Sequence, residues 1–286
     1  MQNAAGKTQQ STYLMTLDLR LIPAAIVNLP TDKHRRAYME GQFGGLGIQT
    51  KFVPGVTKFG KKKSVAAAYI NAFEAMERAP FVVFDDDQEL LWDDCILPDI
   101  PADADIIYLA TRNSGCLPDR PENKKKFGFH AYDGLALAEA FDETYLRLYS
   151  MISSMAVFVV SERGRERYRM ELKKAYNRST AADIRYAFAM PSLNVYALRQ
   201  PMFAEKQSLQ VPSKSGDLRV AATHTPLIVT MEGEVRETSH RLRNLKVQAK
   251  RDAATQALNW EVLEVNPTTI VTPPATPALR LPGYNQ

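Results

Sequence analysis

The chain has 286 residues, 45% of them hydrophobic and 24% charged, which is typical of a globular protein that buries a sizeable core. Its formal net charge of +4 is compatible with a polyanionic ligand or surface but does not require one. Cys95 and Cys116 are the only cysteines, which excludes a disulfide framework and favours a reduced, cytoplasmic setting. Met1–Gln10 lacks the apolar core of a signal peptide. No apolar run reaches the roughly 18 residues of a transmembrane helix, so we expect any membrane contact to be peripheral.

Strand-like and helix-like patterns alternate from residue 20 to about residue 200, which is typical of an α/β sheet that is mostly parallel. The predicted elements are, in order, a strand over Ile22–Leu29, a helix over Lys33–Phe43, a strand over Thr50–Val53, a helix from Ser64 to Arg78, strands over Phe81–Phe84 and Asp105–Ala110, a helix over Leu135–Leu148, a strand over Met155–Val160, helices from Ser161 to Tyr176 and over Ala181–Met190, and a strand over Leu193–Leu198. Two basic segments, Lys58–Lys63 and the Lys124–Lys126 run within Thr111–Phe129, are predicted to be solvated loops.

The remainder of the chain predicts an extension. The apolar residues of Glu234–Leu258, a basic stretch, are interpreted as one face of an amphipathic helix. Five prolines in Asn266–Gln286 favour an extended arm or a disordered tail. The predicted organisation is therefore a tail over 1–19, an α/β domain over 20–215, a C-terminal extension with a basic helix over 216–265, and a Pro-rich tail over 266–286.

The most informative stretch is Pro80–Leu90, in which four apolar residues run directly into Asp85, Asp86 and Asp87. An uninterrupted apolar run indicates a strand buried on both faces, so the carboxylates are expected at its carboxyl end, where open α/β sheets bind ligands. A divalent cation such as Mg²⁺ or Mn²⁺ would relieve their mutual repulsion. An acidic turn that binds local backbone N–H groups is an equal alternative.

Other catalytic signatures are missing from the sequence. It contains no Gly-x-Gly-x-x-Gly or Walker A loop, no Gly-x-Ser-x-Gly elbow, and no His/Cys cluster with zinc-binding spacing. An Asp-x-Asp at the end of an internal strand suits a nucleoside diphosphate bound through a metal ion.

Five sequence blocks, in a consistent order, carry a resemblance to a known family. They are Ala25–Leu29 with Asp32–Arg36 and Phe52–Val56; Phe81–Leu90; Asp105–Leu109; Ser154–Ser161; and Asp183 through Asn194–Leu198 to Pro201, Gln207 and Ser208. In these blocks the chain resembles the family 25 glycosyltransferases, the lipopolysaccharide-biosynthesis and collagen-type galactosyltransferase group of the GT-A fold. It departs from that pattern at Lys63–Ala72, where the family has Gly-Cys-x-x-Ser-His, and at Asp85, where the family has Glu. The resemblance is that of a divergent member.

The resemblance implies a GT-A-like nucleotide-sugar-binding domain with a C-terminal helical extension. It implies transfer of a sugar from a nucleotide sugar, with UDP as the expected nucleotide, to a hydroxyl of a glycan such as lipopolysaccharide, assisted by Mn²⁺ or Mg²⁺. The implied metal ligands are Asp85, Asp87 and His224, and the implied catalytic carboxylates are Asp183, as general base, and Asp86. The implied donor-binding residues are Asn28, Leu29, Arg35, Arg36, Asp85, Gln207 and Ser208.

Alternatives remain at this stage. Arg35 and Arg36 are also explained as surface charge, Asp183 as a carboxylate favoured at a helix start, and His224 as a structural histidine. A hydroxymethylated base in DNA is an alternative acceptor, for which the basic segments 58–63, 120–126 and 234–251 would contact phosphates. The absence of aromatic residues interleaved with them argues against single-strand binding. A non-catalytic module that binds nucleotide sugars or polyanions is a further alternative.

Overall fold

Strands that are apolar on both faces build the centre of the molecule. The structure is a computed structural model that describes residues 13–14, 16–128, 132–153, 156–209, 227–240 and 243–267. Within these ranges the chain is mixed α/β, with an eight-stranded mixed sheet and five α-helices. None of these helices is long and apolar enough to cross a bilayer.

The strands are β1 (Tyr13–Leu14), β2 (Leu17–Asp18), β3 (Ala24–Asn28), β4 (Thr50–Pro54), β5 (Phe81–Asp85), β6 (Gln88–Leu90), β7 (Ile96–Leu97), β8 (Ile100–Pro101), β9 (Ile106–Tyr108), β10 (Ser114–Gly115), β11 (Tyr132–Asp133), β12 (Leu137–Ala140), β13 (Tyr145–Ser150), β14 (Ala156–Val159), β15 (Val195–Leu198), β16 (Phe203–Glu205), β17 (Val235–His240), β18 (Arg243–Arg251) and β19 (Leu258–Pro267). The helices are α1 (Lys33–Leu46), α2 (Lys61–Ala75), α3 (Pro121–Phe127), α4 (Glu162–Arg178) and α5 (Ala182–Ala189).

The large sheet has the strand order β12-β13-β15-β9-β14-β5-β3-β4. Strand β3 pairs in parallel with β4 and β5, and β9 pairs in parallel with β15. Strand β14 is antiparallel to both β5 and β9, and β13 is antiparallel to both of its neighbours. Only three of the seven pairings are parallel, so the prediction of a mostly parallel sheet is wrong.

Both faces of this sheet are covered, as β5 illustrates. Phe81 and Val83 belong to the core under α2, α4 and α5, whereas Val82 and Phe84 belong to the core under α1. Successive side chains of a strand point to opposite faces, so a strand between two layers has to be apolar at every position. This explains the uninterrupted apolar run before the aspartates.

The predicted helix starts are partly confirmed. Asp32 caps α1 by accepting a hydrogen bond from the Arg35 N–H at 3.1 Å, and Ser161 caps α4 in the same way. The predicted start of the next helix at Ser64 is wrong. Helix α2 begins at Lys61, and the Ser64 Oγ instead donates to the Phe59 carbonyl at 2.9 Å. Residues 61–63 are therefore helical and only the start of the predicted basic loop is a loop.

The helix predicted over Leu135–Leu148 is also wrong, because this segment forms the hairpin of β12 and β13. The turn is held by Asp142, whose Oδ1 accepts from the N–H groups of Thr144 and Tyr145 at 2.7 and 2.6 Å. Similarly, the loop predicted over Thr111–Phe129 contains β10 and α3, so Lys124–Lys126 lie on a short helix.

The C-terminal extension is a three-stranded antiparallel sheet, β17-β18-β19, and the predicted basic helix is wrong. In β18, buried Leu245, Val247 and Ala249 alternate with less buried polar residues, which is a strand period. This sheet packs on the β12–β13 side of the domain, where the Trp260 indole N–H donates to the Leu135 carbonyl at 2.9 Å. Strand β19 extends into the predicted Pro-rich tail, whose residues 268–286 lie outside the described residues.

Candidate functional site

The acidic run lies at the carboxyl end of β5, as its sequence predicts. Asp85 is the last residue of the strand, and Asp86 and Asp87 form the turn into β6. Because β3 runs parallel to β5, its last residue reaches the same edge, and the Asn28 Nδ2 donates to the Asp86 Oδ2 at 2.7 Å.

Arg35 links α1 to two of these carboxylates. Its Nη1 donates to the Asp86 Oδ1 at 2.7 Å and to the Asp87 Oδ2 at 3.2 Å, and its Nη2 donates to the Leu209 carbonyl at 2.7 Å. Burial acts to lower the pKa of Arg35, but the hydrogen bond to Asp86 and the charges of both carboxylates raise it above its ordinary value. Burial raises the pKa of Asp87, and the nearby Arg35 charge only partly opposes this. The alternative interpretation of Arg35 as surface charge is therefore wrong.

Asp85 faces a different partner. The hydroxyl of Tyr69, on α2, donates to the Asp85 Oδ1. Burial is the main cause that raises the pKa of Tyr69 well above its ordinary value, and the Asp85 charge adds to it. The Tyr69 phenol thus holds the Asp85 side chain between α2 and the sheet edge.

Two adjoining cavities open at this edge. The first has a volume of about 500 Å³ and an apolar wall that includes Val27, Val56 and Phe59, with Arg35 and Asp86 among its polar residues. The second has a volume of about 450 Å³. Both volumes lie in the range of small-molecule sites. Four residues line both cavities: Lys61, Val65, Tyr69 and Asp85.

The second cavity is lined by charged side chains from several elements of the fold. Asp183 enters it from the first turn of α5, and Arg112 lines it while forming an ion pair with Glu205. Burial raises the pKa of Asp183, an effect that its backbone hydrogen bonds and the charges of Arg112 and Lys62 only partly oppose. A carboxylate whose pKa is raised is a stronger proton acceptor than an ordinary carboxylate.

Tyr186, also on α5, lines the same cavity. Its ring stacks on Tyr168 with centroids 4.3 Å apart, which fixes its position. Tyr186 is 2% exposed, and its hydroxyl has no hydrogen-bond partner within the described ranges.

The predicted site residues thus divide into separate groups. The first cavity is lined by Leu29, Arg35, Asp85 and Asp86, and the second by Asp85 and Asp183. Neither cavity is lined by Asn28, which donates to Asp86, or by Asp87, which accepts from Arg35. Arg36 lies outside both and forms an exposed ion pair with Glu40 at 2.8 Å. Ser208 is exposed in the Gln207–Leu209 turn and lines neither cavity. The Gln207 side chain and His224 lie outside the described residues.

Several cavity residues were not predicted from the sequence: Lys61, Lys62, Tyr69, Arg112, Tyr186 and Glu205. Lys61 and Lys62 were visible as a basic cluster, but their cluster was interpreted as a solvated loop. Val65, Tyr69 and Phe73 recur at helical spacing, which predicts a core position for Tyr69 and no role in a site.

A divalent cation at this edge would need carboxylate oxygens that face the cavities. Asp85 faces both cavities, whereas Asp87 lines neither and is paired with Arg35. Within the described part of the chain, no three His, Cys, Asp or Glu side chains are grouped as a metal site. Mg²⁺ accepts one or two carboxylates together with substrate phosphates, so Asp85 fits such an ion and Asp87, as paired here, does not.

The chain was also compared with known proteins. No protein-family model matches it, and no curated protein is similar to it at a significant level.

Proposed function

We propose that the chain is a glycosyltransferase with a GT-A-like domain, which moves a sugar from a nucleotide-sugar donor to a hydroxyl of a glycan. The observation that carries this proposal is the pair of adjoining cavities that share Asp85 at the end of β5. A two-substrate transfer needs two neighbouring sites with the reacting atoms at their boundary. The resemblance over five ordered blocks supports the same function.

The first cavity suits the nucleoside part of the donor. Its apolar wall, formed by residues such as Val27, Val56 and Phe59, would contact the base, and Asp85 would accept hydrogen bonds from ribose hydroxyls. Arg35 orients Asp86 at the same wall through its hydrogen bond. The second cavity would then receive the sugar and the acceptor.

Asp183 is the proposed general base in the second cavity. The acceptor hydroxyl oxygen forms a bond to the anomeric carbon, and the bond from that carbon to the diphosphate oxygen breaks, leaving its electron pair on the diphosphate. The hydroxyl proton passes to the Asp183 carboxylate. A divalent cation held by Asp85 would add positive charge beside the leaving diphosphate.

A glycan acceptor is favoured over DNA because three basic residues of the C-terminal sheet are paired with carboxylates of the chain itself. Arg236 pairs with Glu234, Lys250 with Glu261, and Arg251 with Glu139 and Glu232. The helix that would have presented them to phosphates is a sheet. Paired cations contribute less to phosphate binding, because each ion pair has to be broken first.

The test begins with a thermal-shift screen of nucleotide sugars with and without Mn²⁺, because a ligand that binds only the folded state raises its apparent stability. The nucleotide sugar that raises the apparent stability is then incubated with the protein, with and without glycan acceptors, and release of its nucleoside diphosphate is measured. We expect Asp85→Asn to lower this release by about 100-fold or more. Asp93→Asn, an exposed residue outside both cavities, is the control. If no nucleotide sugar binds or is cleaved, the glycosyltransferase proposal fails; binding without cleavage or transfer would identify a non-catalytic module.

A further inference from the structure

Helix α2 begins in an unusual way for a helix start. Its first three residues are Lys61, Lys62 and Lys63, its first turn contains no acidic residue, and its N-cap, Gly60, provides no side-chain cap. The positive end of the helix dipole lies here, so anions stabilise this end and lysines destabilise it. Three cations at this position are therefore unfavourable for the helix alone and become favourable when an anion binds.

Two of these lysines lie at the cavities. Lys61 lines both, and Lys62 lines the second. Both are exposed, and neither forms an ion pair with any side chain among the residues described. Lys63 differs, because it lines neither cavity and its ammonium group lies 5.6 Å from the centre of the Tyr176 ring.

A second observation independently indicates a ligand in the same cavity. Tyr186 lines it beside Lys61 and Lys62, and its hydroxyl is buried without a hydrogen-bond partner in the described structure. A buried, unsatisfied polar group is costly, and such groups are rare in folded proteins. An oxygen atom of a bound ligand would accept the missing hydrogen bond.

We propose that Lys61, Lys62 and the first turn of α2 bind the diphosphate of the donor at the boundary of the two cavities, with the Tyr186 hydroxyl donating to one of its oxygens or to the attached sugar. This inference rests on the proposed function for the identity of the donor. In this proposal the positive charge that stabilises the leaving diphosphate comes from lysines of the chain. Diphosphate binding therefore does not depend on a metal ion. Lysine acts here as a compact point charge with three donors.

The experiment measures binding of UDP and of inorganic pyrophosphate to the full chain by titration calorimetry in EDTA. It compares the wild type with Lys61→Ala, Lys62→Ala, the double variant, and Lys63→Ala as a control that removes the same charge from the same helix turn. A charge-assisted hydrogen bond contributes strongly to phosphate binding. We therefore expect Lys61→Ala and Lys62→Ala each to weaken binding about tenfold, and the double variant to weaken it about 100-fold. Lys63→Ala should stay within about twofold, and Tyr186→Phe should weaken binding by about fivefold. Binding should also weaken as salt concentration rises.

The outcomes separate this inference from the proposed function. If UDP binds only when Mn²⁺ is present and the cavity lysine variants bind it like the wild type, the lysine site is overturned while the glycosyltransferase proposal stands. Equal losses in Lys63→Ala and the double variant would also overturn it, because they would show a diffuse charge effect. If pyrophosphate binds with the expected lysine dependence but no nucleotide sugar is cleaved, the anion site holds and the proposed function fails.

Discussion

Arg35→Met tests whether the guanidinium group of Arg35 holds the edge of the sheet together. Arg35 contacts Asp86 and Asp87 at 2.7 and 3.2 Å and the Leu209 carbonyl at 2.7 Å. Methionine retains much of the apolar length of the side chain but donates no hydrogen bond. The variant therefore leaves two carboxylates, each 8% exposed, without their guanidinium partner, while the Asn28 amide still donates to Asp86 and the Gln88 amide to Asp87.

The magnitude follows from the burial of the pair. Removing one partner of a fully buried ion pair costs about 3–5 kcal/mol because it leaves an uncompensated charge. The Arg35 side chain is 17% exposed, so solvent screens part of this charge and we expect a loss of about 2–4 kcal/mol in the free energy of unfolding. Arg36→Met is the matched control on the same helix. Its ion pair with Glu40 is half exposed, so we expect a loss of no more than about 1 kcal/mol.

The assay is urea unfolding of both variants at about pH 7 and about pH 5. Burial raises the pKa of Asp87 in the folded protein, so protonation of Asp87 stabilises the folded state. This contribution to the free energy of unfolding is lost as pH rises through the raised pKa. Without Arg35 the pKa rises further, so the deficit of Arg35→Met should shrink toward the lower pH. A deficit that matches Arg36→Met, or one that is the same at both pH values, would refute the reasoning.

Three further predictions concern the base and the core. Asp183→Asn should lower sugar transfer by about 10²–10⁴-fold while the thermal shift with donor is retained, and unchanged transfer would exclude Asp183 as the base. Wild-type kcat should fall as pH drops through the raised pKa of Asp183, because the base must be ionised. Glu171→Gln removes the charge that faces a buried guanidinium of α5 and should cost about 3 kcal/mol in urea unfolding, against less than about 1 kcal/mol for the more exposed Glu166→Gln. Gly164→Ala would place a Cβ 2.5 Å from a backbone carbonyl oxygen and should cost about 1–3 kcal/mol by thermal denaturation, whereas Gly41→Ala has no atom within 4 Å and should be neutral or stabilising.

The sequence predicts those parts of the fold whose pattern depends on local chemistry. The buried strand β5, the caps at Asp32 and Ser161 and the helix over Ala182–Ala189 all have local signals, and the structure contains them. The strand directions are different. Whether β14 runs parallel or antiparallel to β5 depends on the long connection between them, which no local pattern determines.

The two wrong helix predictions have a common physical cause. In both segments a few apolar residues recur at helical spacing, although the pattern of residues two apart is that of a strand. Leu245, Val247 and Ala249 alternate with polar neighbours, and in the hairpin of β12 and β13 the Asp142 turn interrupts the apparent helical period. These strands gain their stability from packing on distant parts of the chain, such as the contact of Trp260 with Leu135. Tertiary contacts of this kind override local propensity.

The candidate site was predictable where residues share a strand end and unpredictable where they meet across elements. Asn28 and Asp85–Asp87 follow from the parallel pairing of β3 and β5. The contribution of α2 does not, because the sequence does not show that its first turn and Tyr69 face the carboxyl end of β5. The resemblance gave no guidance there, since Lys63–Ala72 is the segment at which the chain departs from the family pattern.

The charges of the site are arranged on two sides, and this arrangement limits the ligands that suit it. Arg35 partly neutralises Asp86 and Asp87. Asp85 faces both cavities, and Lys61 and Lys62 lie on the helix side of the same boundary. A uniform polyanion such as duplex DNA would meet repulsion from Asp85 wherever it met attraction from the lysines. A ligand with hydroxyl donors at one end and phosphates at the other matches both sides. The arrangement therefore supports the proposed nucleotide ligand rather than a polyanion, independently of the resemblance in sequence.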